Sequence, residues 1–223
     1  MKGKIADINE LIIPPIEKFG VLLYGPNEYR VNKNYIKIYD ELNKHNDEML
    51  EAQELDANII LNQAEIFFNE INTINLGGGI KVVRIDLTDT DKAGCLENYL
   101  ENPTDNSFIV VKSGKLGPKS KLRGLFEKSE SFIVIPFYED TLKDTNIFIE
   151  NYMNSNKLSI THDAKQKIIS FAGQFNKVLE SNLELIFLYM LKNKEKEIDI
   201  DIINKVLFAD KPVEIQNLSL IHI

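Results

Sequence analysis

Hydrophobic positions follow two different periods over the first two thirds of the chain. Short apolar runs predict buried strands, and runs with an apolar residue at every third or fourth position predict amphipathic helices. Strands are predicted at 20–24, 49–55 (the weakest), 81–85, 108–111 and 132–136. Helices are predicted at 29–44, 56–71, 92–101 and 120–128. This alternation indicates an α/β fold with a mostly parallel sheet that is covered on both faces.

The strand pattern stops after about residue 140, and only helical periodicity follows. Helices are predicted at 143–154, 162–173, 175–193 and 201–208. We therefore expect an α/β domain over residues 1–140 and a small all-helical domain over 141–212. The last residues, 213–223, are interpreted as a truncated or artefactual tail, because Leu218 to Ile223 matches one reading frame of a transposon end used in sequencing libraries.

Composition narrows the class of protein. The 223 residues are 43% apolar and 27% charged, a balance that predicts a buried core. No apolar run approaches the roughly 18 residues of a membrane span, and the N-terminus lacks the pattern of a secretory signal. A single cysteine, Cys95, suits a reducing compartment, so a cytoplasmic protein is expected. The net charge of −8 argues against a protein that mainly coats nucleic acid.

The turn after the first strand is where a phosphate-binding loop would lie. Such a loop needs glycines for close backbone approach, then Lys for the outer phosphates and Ser or Thr for magnesium. Here Glu28 and Arg30 stand where glycines are needed, and Val31 and Asn32 stand at the Lys and Ser/Thr positions. The whole segment predicted to be a degenerate, non-binding nucleotide loop contains Gly25, Pro26, Asn27, Glu28, Arg30 and Val31.

The acidic magnesium ligand expected after a neighbouring strand is also missing, because Lys112 and Ser113 follow the strand at 108–111. The two losses together argue against ATP hydrolysis. Two alternatives stay open from the residues alone. The turn could belong to any α/β fold, or the chain could be an enzyme that binds a small ligand in the crevice beside Gly25 and Pro26.

Other chemical groups form no recognisable site. His45, His162 and His222 are isolated from one another. The acidic residues of the segment 86–91 are interpreted as helix caps, and Cys95 is expected to be packed. The sequence therefore predicts no catalytic residue, no metal site and no cofactor.

Five segments, taken in order, resemble the delta subunit of bacterial DNA polymerase III. Their residue types and spacing are most similar to those of alphaproteobacterial members. These segments are 21–28, 76–85, 108–116, 120–127 and 135–140. The resemblance implies an AAA+-like domain without ATPase activity, a helical lid, and a collar domain that this chain lacks. It also implies a non-catalytic subunit of the clamp loader that binds and opens the sliding clamp. The related delta-prime subunit fits less well, because neither its zinc module nor its arginine-finger motif is found.

The resemblance also implies the partners and the contact residues. Partners would be the sliding clamp, the clamp-loader ATPase subunits with delta-prime, and primed DNA indirectly. By position, the clamp-binding residues fall at Ile74, Asn75 and Leu76, although Asn75 departs from the usual Leu of the family. Without the resemblance, Ile74 and Leu76 are more simply interpreted as core residues beneath a turn.

A basic segment runs from Lys112 to Lys128 and carries six basic residues against one acidic residue. Within it, Lys119, Lys121 and Arg123 could face DNA or an acidic neighbouring subunit. A solvated helix face is the simpler interpretation. Charge reversal at these three positions would distinguish the two.

Overall fold

A five-stranded parallel sheet forms the centre of the first part of the protein. The computed structural model describes residues 18–43, 54–73, 81–172 and 177–208. It divides the chain into two units, residues 1–139 and 140–223. The strands of the first unit are β1 (Gly20–Tyr24), β2 (Glu54–Leu55), β3 (Lys81–Leu87), β4 (Ser107–Ser113) and β5 (Phe132–Pro136), in the order β2-β3-β4-β1-β5. All neighbouring pairs are parallel, which confirms the predicted α/β class.

Helices cover both faces of this sheet. They are α1 (Glu28–Asn43), α2 (Ala57–Asn62), α3 (Ala64–Asn72), α4 (Leu96–Glu101) and α5 (Lys121–Lys128). Helix α1 covers one face, where Tyr35 and Ile38 pack against Leu23 and Val110. Helices α2 to α5 contribute to the core on the other face. Because successive side chains of a strand point to opposite faces, both cores draw on the same strands.

Two predicted helices differ from those observed. The helix predicted over 56–71 is two helices that meet at Gln63, and Ala64 is exposed although the pattern predicted it to be buried. The helix predicted from residue 92 begins only at Leu96. The preceding Gly94 has a φ of 53°, and a Cβ atom there would lie 2.2 Å from the carbonyl oxygen of Ile60. The close approach of two backbones therefore fixes a turn where the periodicity predicted a helix.

The second unit contains four helices within the described residues: α6 (Leu142–Ser155), α7 (His162–Ala172), α8 (Lys177–Asn193) and α9 (Ile200–Leu207). The prediction of an all-helical unit is wrong in one respect, because β6 (Ser159–Ile160) and β7 (Glu197–Ile198) form a small parallel sheet. Two-residue strands carry no detectable period. Thr141 forms a capping box with Asp144 at the start of α6, and Asp199 caps α9.

No helix in the described part of the chain is both long and apolar enough to cross a bilayer.

Candidate functional site

The turn after β1 is held by backbone contacts to two other segments. The amide of Gly25 donates to the carbonyl oxygen of Gly114 at 3.1 Å, and the amide of Asn27 donates to that of Phe137 at 3.4 Å. Gly25 has a φ of 150°, and a Cβ atom there would lie 1.9 Å from the Phe137 carbonyl oxygen. The glycine is therefore required by the approach of the chain after β5, with no ligand involved.

Helix α1 begins too early for a phosphate cradle. In a phosphate-binding loop, a glycine-rich stretch separates the strand from the helix, but here Glu28 and Arg30 already belong to α1. The side chain of Asn27 accepts a hydrogen bond from the amide of Arg30 at 3.1 Å, as a helix cap does. The turn itself is thus only three residues long, and one of the first amides of the helix is already bonded to a side chain of the protein.

The remaining residues of the predicted loop serve the fold. Val31, at the position where the motif has Lys, is 3% exposed and packs in the core beneath α1. The guanidinium of Arg30 lies 5.7 Å from the centre of the Phe137 ring. Glu28 places a negative charge in the first turn of α1, where a phosphate would otherwise meet the positive end of the helix.

The carboxyl ends of β3 and β4 show what replaces a magnesium ligand. Lys112 follows the apolar run of β4, as predicted, and its register partner on β3 is the acidic residue Asp86. The Nζ atom of Lys112 lies 3.0 Å from Oδ2 of Asp86. The Asp86 carboxylate is therefore ion-paired with a lysine ammonium.

Asp86 is also held by its own turn. Its Oδ1 atom accepts hydrogen bonds from the amide of Thr88 at 2.9 Å and from the Thr88 hydroxyl at 2.6 Å. Partial burial opposes ionisation, but these bonds and Lys112 together lower the pKa of Asp86. The interpretation of Asp86 as a helix cap is wrong, since no helix begins there and its carboxylate instead closes a turn.

Ion pairs within the protein engage two of the three residues predicted as a basic face. Lys121 lies at the start of α5 and pairs with Glu97 at 2.6 Å. Arg123 pairs with Glu127 at 2.9 Å, and its guanidinium lies 5.3 Å from the centre of the Tyr24 ring. Lys119 is exposed in the preceding loop. These contacts do not show the three cations on a common surface.

Within the described ranges, no group of three or more His, Cys, Asp or Glu side chains could hold a metal ion. Burial raises the pKa of the Cys95 thiol to about 11, so the thiol stays protonated and is a poor nucleophile at neutral pH. His162 is exposed in the first turn of α7, and His45 and His222 lie outside the described residues.

The sequence of the first unit decides the family. A family model described as DNA polymerase III, delta subunit, matches residues 21–137, which is more than half of the chain. The chain belongs to the DNA polymerase III delta subunit family. The segment that matches runs from β1 to the residue after β5, so it includes the turn at Gly25 and the paired ends of β3 and β4.

Solved structures show the same fold. The chain is similar to the Bacillus subtilis DNA clamp loader delta protein (TM-score 0.62, 15% identity), covering 92% of this chain and 62% of that one. It is also similar to the Thermotoga maritima RuvB Holliday junction branch migration motor (TM-score 0.50, 15% identity), covering 89% and 64%. Domain III of Thermotoga maritima DnaA matches with a TM-score of 0.50 and 13% identity, covering 91% and 88%. These likenesses show an AAA+-like fold. Comparison with curated protein sequences gave no significant match.

The residues that the delta family resemblance assigns to the clamp, Ile74, Asn75 and Leu76, lie outside the described residues, as does the glycine turn at 77–79. The structure describes the helix that leads to them. In α3, Phe67 and Ile71 are buried in the core, whereas Ile66 is 42% exposed. The helix is therefore fixed to the sheet through one face, and the chain continues toward residue 74 from its C-terminal end at Asn72.

We expect ATP and magnesium to leave the melting temperature of this protein unchanged. A nucleotide present at about 100 times its dissociation constant would stabilise the folded state by about 2.7 kcal/mol, a shift that thermal unfolding detects easily. An active AAA+ ATPase measured under the same conditions is the control. A saturable increase with ATP would contradict the prediction and favour the alternative of a ligand site beside Gly25 and Pro26.

Proposed function

We propose that this chain is a non-catalytic subunit of the DNA polymerase III clamp loader, and that it binds and opens the sliding clamp during loading onto DNA. The family match over residues 21–137 carries the proposal. The site geometry supports the non-catalytic part, because α1 begins at Glu28 and Lys112 already neutralises Asp86. Its partners would be the clamp, the loader ATPase subunits with delta-prime, and DNA indirectly, all in the cytoplasm.

The mechanism needs no chemistry by this subunit. A protein that binds the open ring more tightly than the closed ring shifts the equilibrium toward the open ring by that difference in affinity. Residues Ile74, Asn75 and Leu76 would supply the contact, since they follow a helix that the core anchors through Phe67 and Ile71. The ATPase neighbours would control when this contact is available.

Removing the apolar side chains of this contact is expected to weaken binding to the cognate clamp strongly. Each buried Ile or Leu side chain contributes about 1.5–3 kcal/mol, so Ile74→Ala with Leu76→Ala should weaken binding by roughly two orders of magnitude or more. The reverse change, Asn75→Leu, should strengthen it. Binding is measured by surface plasmon resonance with immobilised clamp.

Ile36→Ala is the matched control for this experiment. Ile36 is 51% exposed on α1, which covers the opposite face of the sheet from α3. The control should bind the clamp as the wild type does. Undiminished binding by the Ile74 and Leu76 double variant, with its fold intact, would place the contact elsewhere.

A direct role in DNA binding has weaker support. Of the three residues proposed for it, Lys119 is exposed, while Lys121 and Arg123 are ion-paired with Glu97 and Glu127. If DNA is contacted, Lys119 is the residue of the three whose charged group is most available to a phosphate.

A further inference from the structure

A buried ammonium lies at the start of β3. Among the residues that the structure describes, Lys81 is the only Lys or Arg that is buried, and its side chain is 10% exposed. Its Nζ atom lies 2.8 Å from Oε1 of Glu70, a residue in the last turn of α3. The same atom donates to the main-chain carbonyl oxygen of Glu70 at 3.0 Å. Because a charge is costly to take out of water without partners, the burial of Lys81 depends on Glu70.

The ammonium also completes the C-terminus of α3. The last carbonyl groups of a helix have no partner within the helix. Thr73 donates to the carbonyl oxygen of Asn69 from both its amide, at 3.1 Å, and its hydroxyl, at 2.7 Å. Lys81 donates to the next carbonyl, that of Glu70. A positive charge is favourable at this end, since the helix dipole leaves the C-terminus partly negative.

The two ends of the connection between α3 and β3 are therefore held at the same helix terminus. Thr73 is the last described residue before the segment 74–80, and Lys81 is the first after it. The main chain of Lys81 is fixed in turn, because its amide donates to the carbonyl oxygen of Asn106 at 3.1 Å. The pair of Glu70 and Lys81 thus joins the end of α3 to the start of β3. Fixing the ends of a connection reduces its conformational freedom.

We propose that Lys81 and Glu70 are positioning residues for the clamp contact assigned above to residues 74–76. This inference rests on the proposed function, because its partner is the sliding clamp. Ordering a connection at the moment of binding costs free energy, and a protein that limits its freedom beforehand avoids part of that cost. The pair does so without touching the clamp. It acts through the fraction of molecules that present the contact in a form ready to bind.

Binding kinetics distinguish a positioning residue from a contact residue. Lys81→Met keeps most of the aliphatic stem and removes the ammonium. In surface plasmon resonance with immobilised cognate clamp, its association rate constant should fall about tenfold, because fewer molecules present the contact. Its dissociation rate constant should change by less than about twofold. Ile74→Ala with Leu76→Ala removes the contact itself and should act chiefly on dissociation.

Matched variants separate positioning from changes in charge and stability. Lys112→Met removes another ion-paired ammonium, whose side chain is 14% exposed, and should associate at the wild-type rate. Glu70→Ala should slow association about threefold, whereas Glu65→Ala, with the same change of charge in the first turn of α3, should not. Glu70→Ala combined with Lys81→Met should be no slower than Lys81→Met alone, because both act through one pair. All association rates are corrected for the folded fraction, which urea unfolding measures.

The outcomes separate this inference from the proposed function. Slower association in Lys81→Met and Glu70→Ala, with unchanged controls, supports the positioning role. If the clamp binds through Ile74 and Leu76 but both folded variants associate at the wild-type rate, the positioning role is wrong and the proposed function stands. Equal slowing in Lys112→Met would also overturn the role. If Lys81→Met does not fold, Glu70→Ala decides alone. If the wild type does not bind the clamp, or binds it without Ile74 and Leu76, the positioning role fails together with the proposed contact.

Discussion

Gly25→Ala should destabilise the first unit by about 3 kcal/mol or more. The φ of 150° at this position is strained for any residue with a side chain, and the new Cβ atom would lie 1.9 Å from the carbonyl oxygen of Phe137. Relief requires the turn or the chain after β5 to move, and movement breaks the hydrogen bond from Gly25 to Gly114. Urea unfolding, with hydrogen exchange to identify the first unit, measures the loss.

Gly124→Ala is the matched control. Gly124 lies inside α5, and nothing lies within 4 Å of the Cβ atom that alanine would add. Because alanine is a better helix former, this change should stabilise the protein by up to about 1 kcal/mol. Equal, small effects of the two substitutions would show that the Phe137 contact does not fix the turn.

The glycine of the Gly25-Pro26 pair is explained by the fold without a phosphate. In the sequence, Gly25 is the feature that most resembles the start of a phosphate-binding loop. In the structure, the backbone of Phe137 is sufficient to require a glycine. A glycine that the fold needs can persist after phosphate binding is lost, so its presence is not a sign of nucleotide binding.

Periodicity predicted the α/β fold because β1, β3, β4 and β5 are buried on both faces or nearly so. Strands such as β1 and β4 consist almost wholly of buried residues, and α1 has a clear apolar stripe. The capping residues Asp56 and Asp199 were also predictable, because each stands just before a helical pattern, whereas Ser120, which was predicted as the first residue of a helix, caps it. Their side chains do accept from the first turn of the helix that follows.

The features that the sequence did not predict depend on contacts between distant segments. The pairing of Lys112 with Asp86 and Glu54 follows from strand register, which the sequence does not specify. The contact of Arg123 with Tyr24 was not predicted either; burial raises the pKa of Tyr24 to about 12, and Arg123 opposes the shift. One detectable signal was Lys112 itself, a charged residue that directly continues a fully apolar strand.

The second large effect is expected for Phe132→Ala, which should cost about 3–5 kcal/mol. Phe132 on β5 is fully buried, and its ring centre lies 5.5 Å from that of Phe126 and 6.0 Å from that of Tyr99. Tyr99 in turn contacts Phe67 of α3 at 5.5 Å. Removal of the ring opens a cavity beside α4 and α5, and urea unfolding measures the loss.

Phe132→Leu and Phe171→Ala test the reason for this cost. The leucine variant keeps most of the apolar volume, so it should lose much less stability than the alanine variant. Phe171 lies in the second unit and is 52% exposed, so Phe171→Ala should leave the stability of the first unit nearly unchanged. Phe67 lies on the helix that precedes the proposed clamp contact, whereas Phe132 lies on β5. We therefore expect clamp binding by Phe132→Ala to fall only in proportion to the unfolded fraction. A loss of binding in fully folded Phe132→Ala would instead mean that the aromatic cluster positions the end of α3 for the clamp.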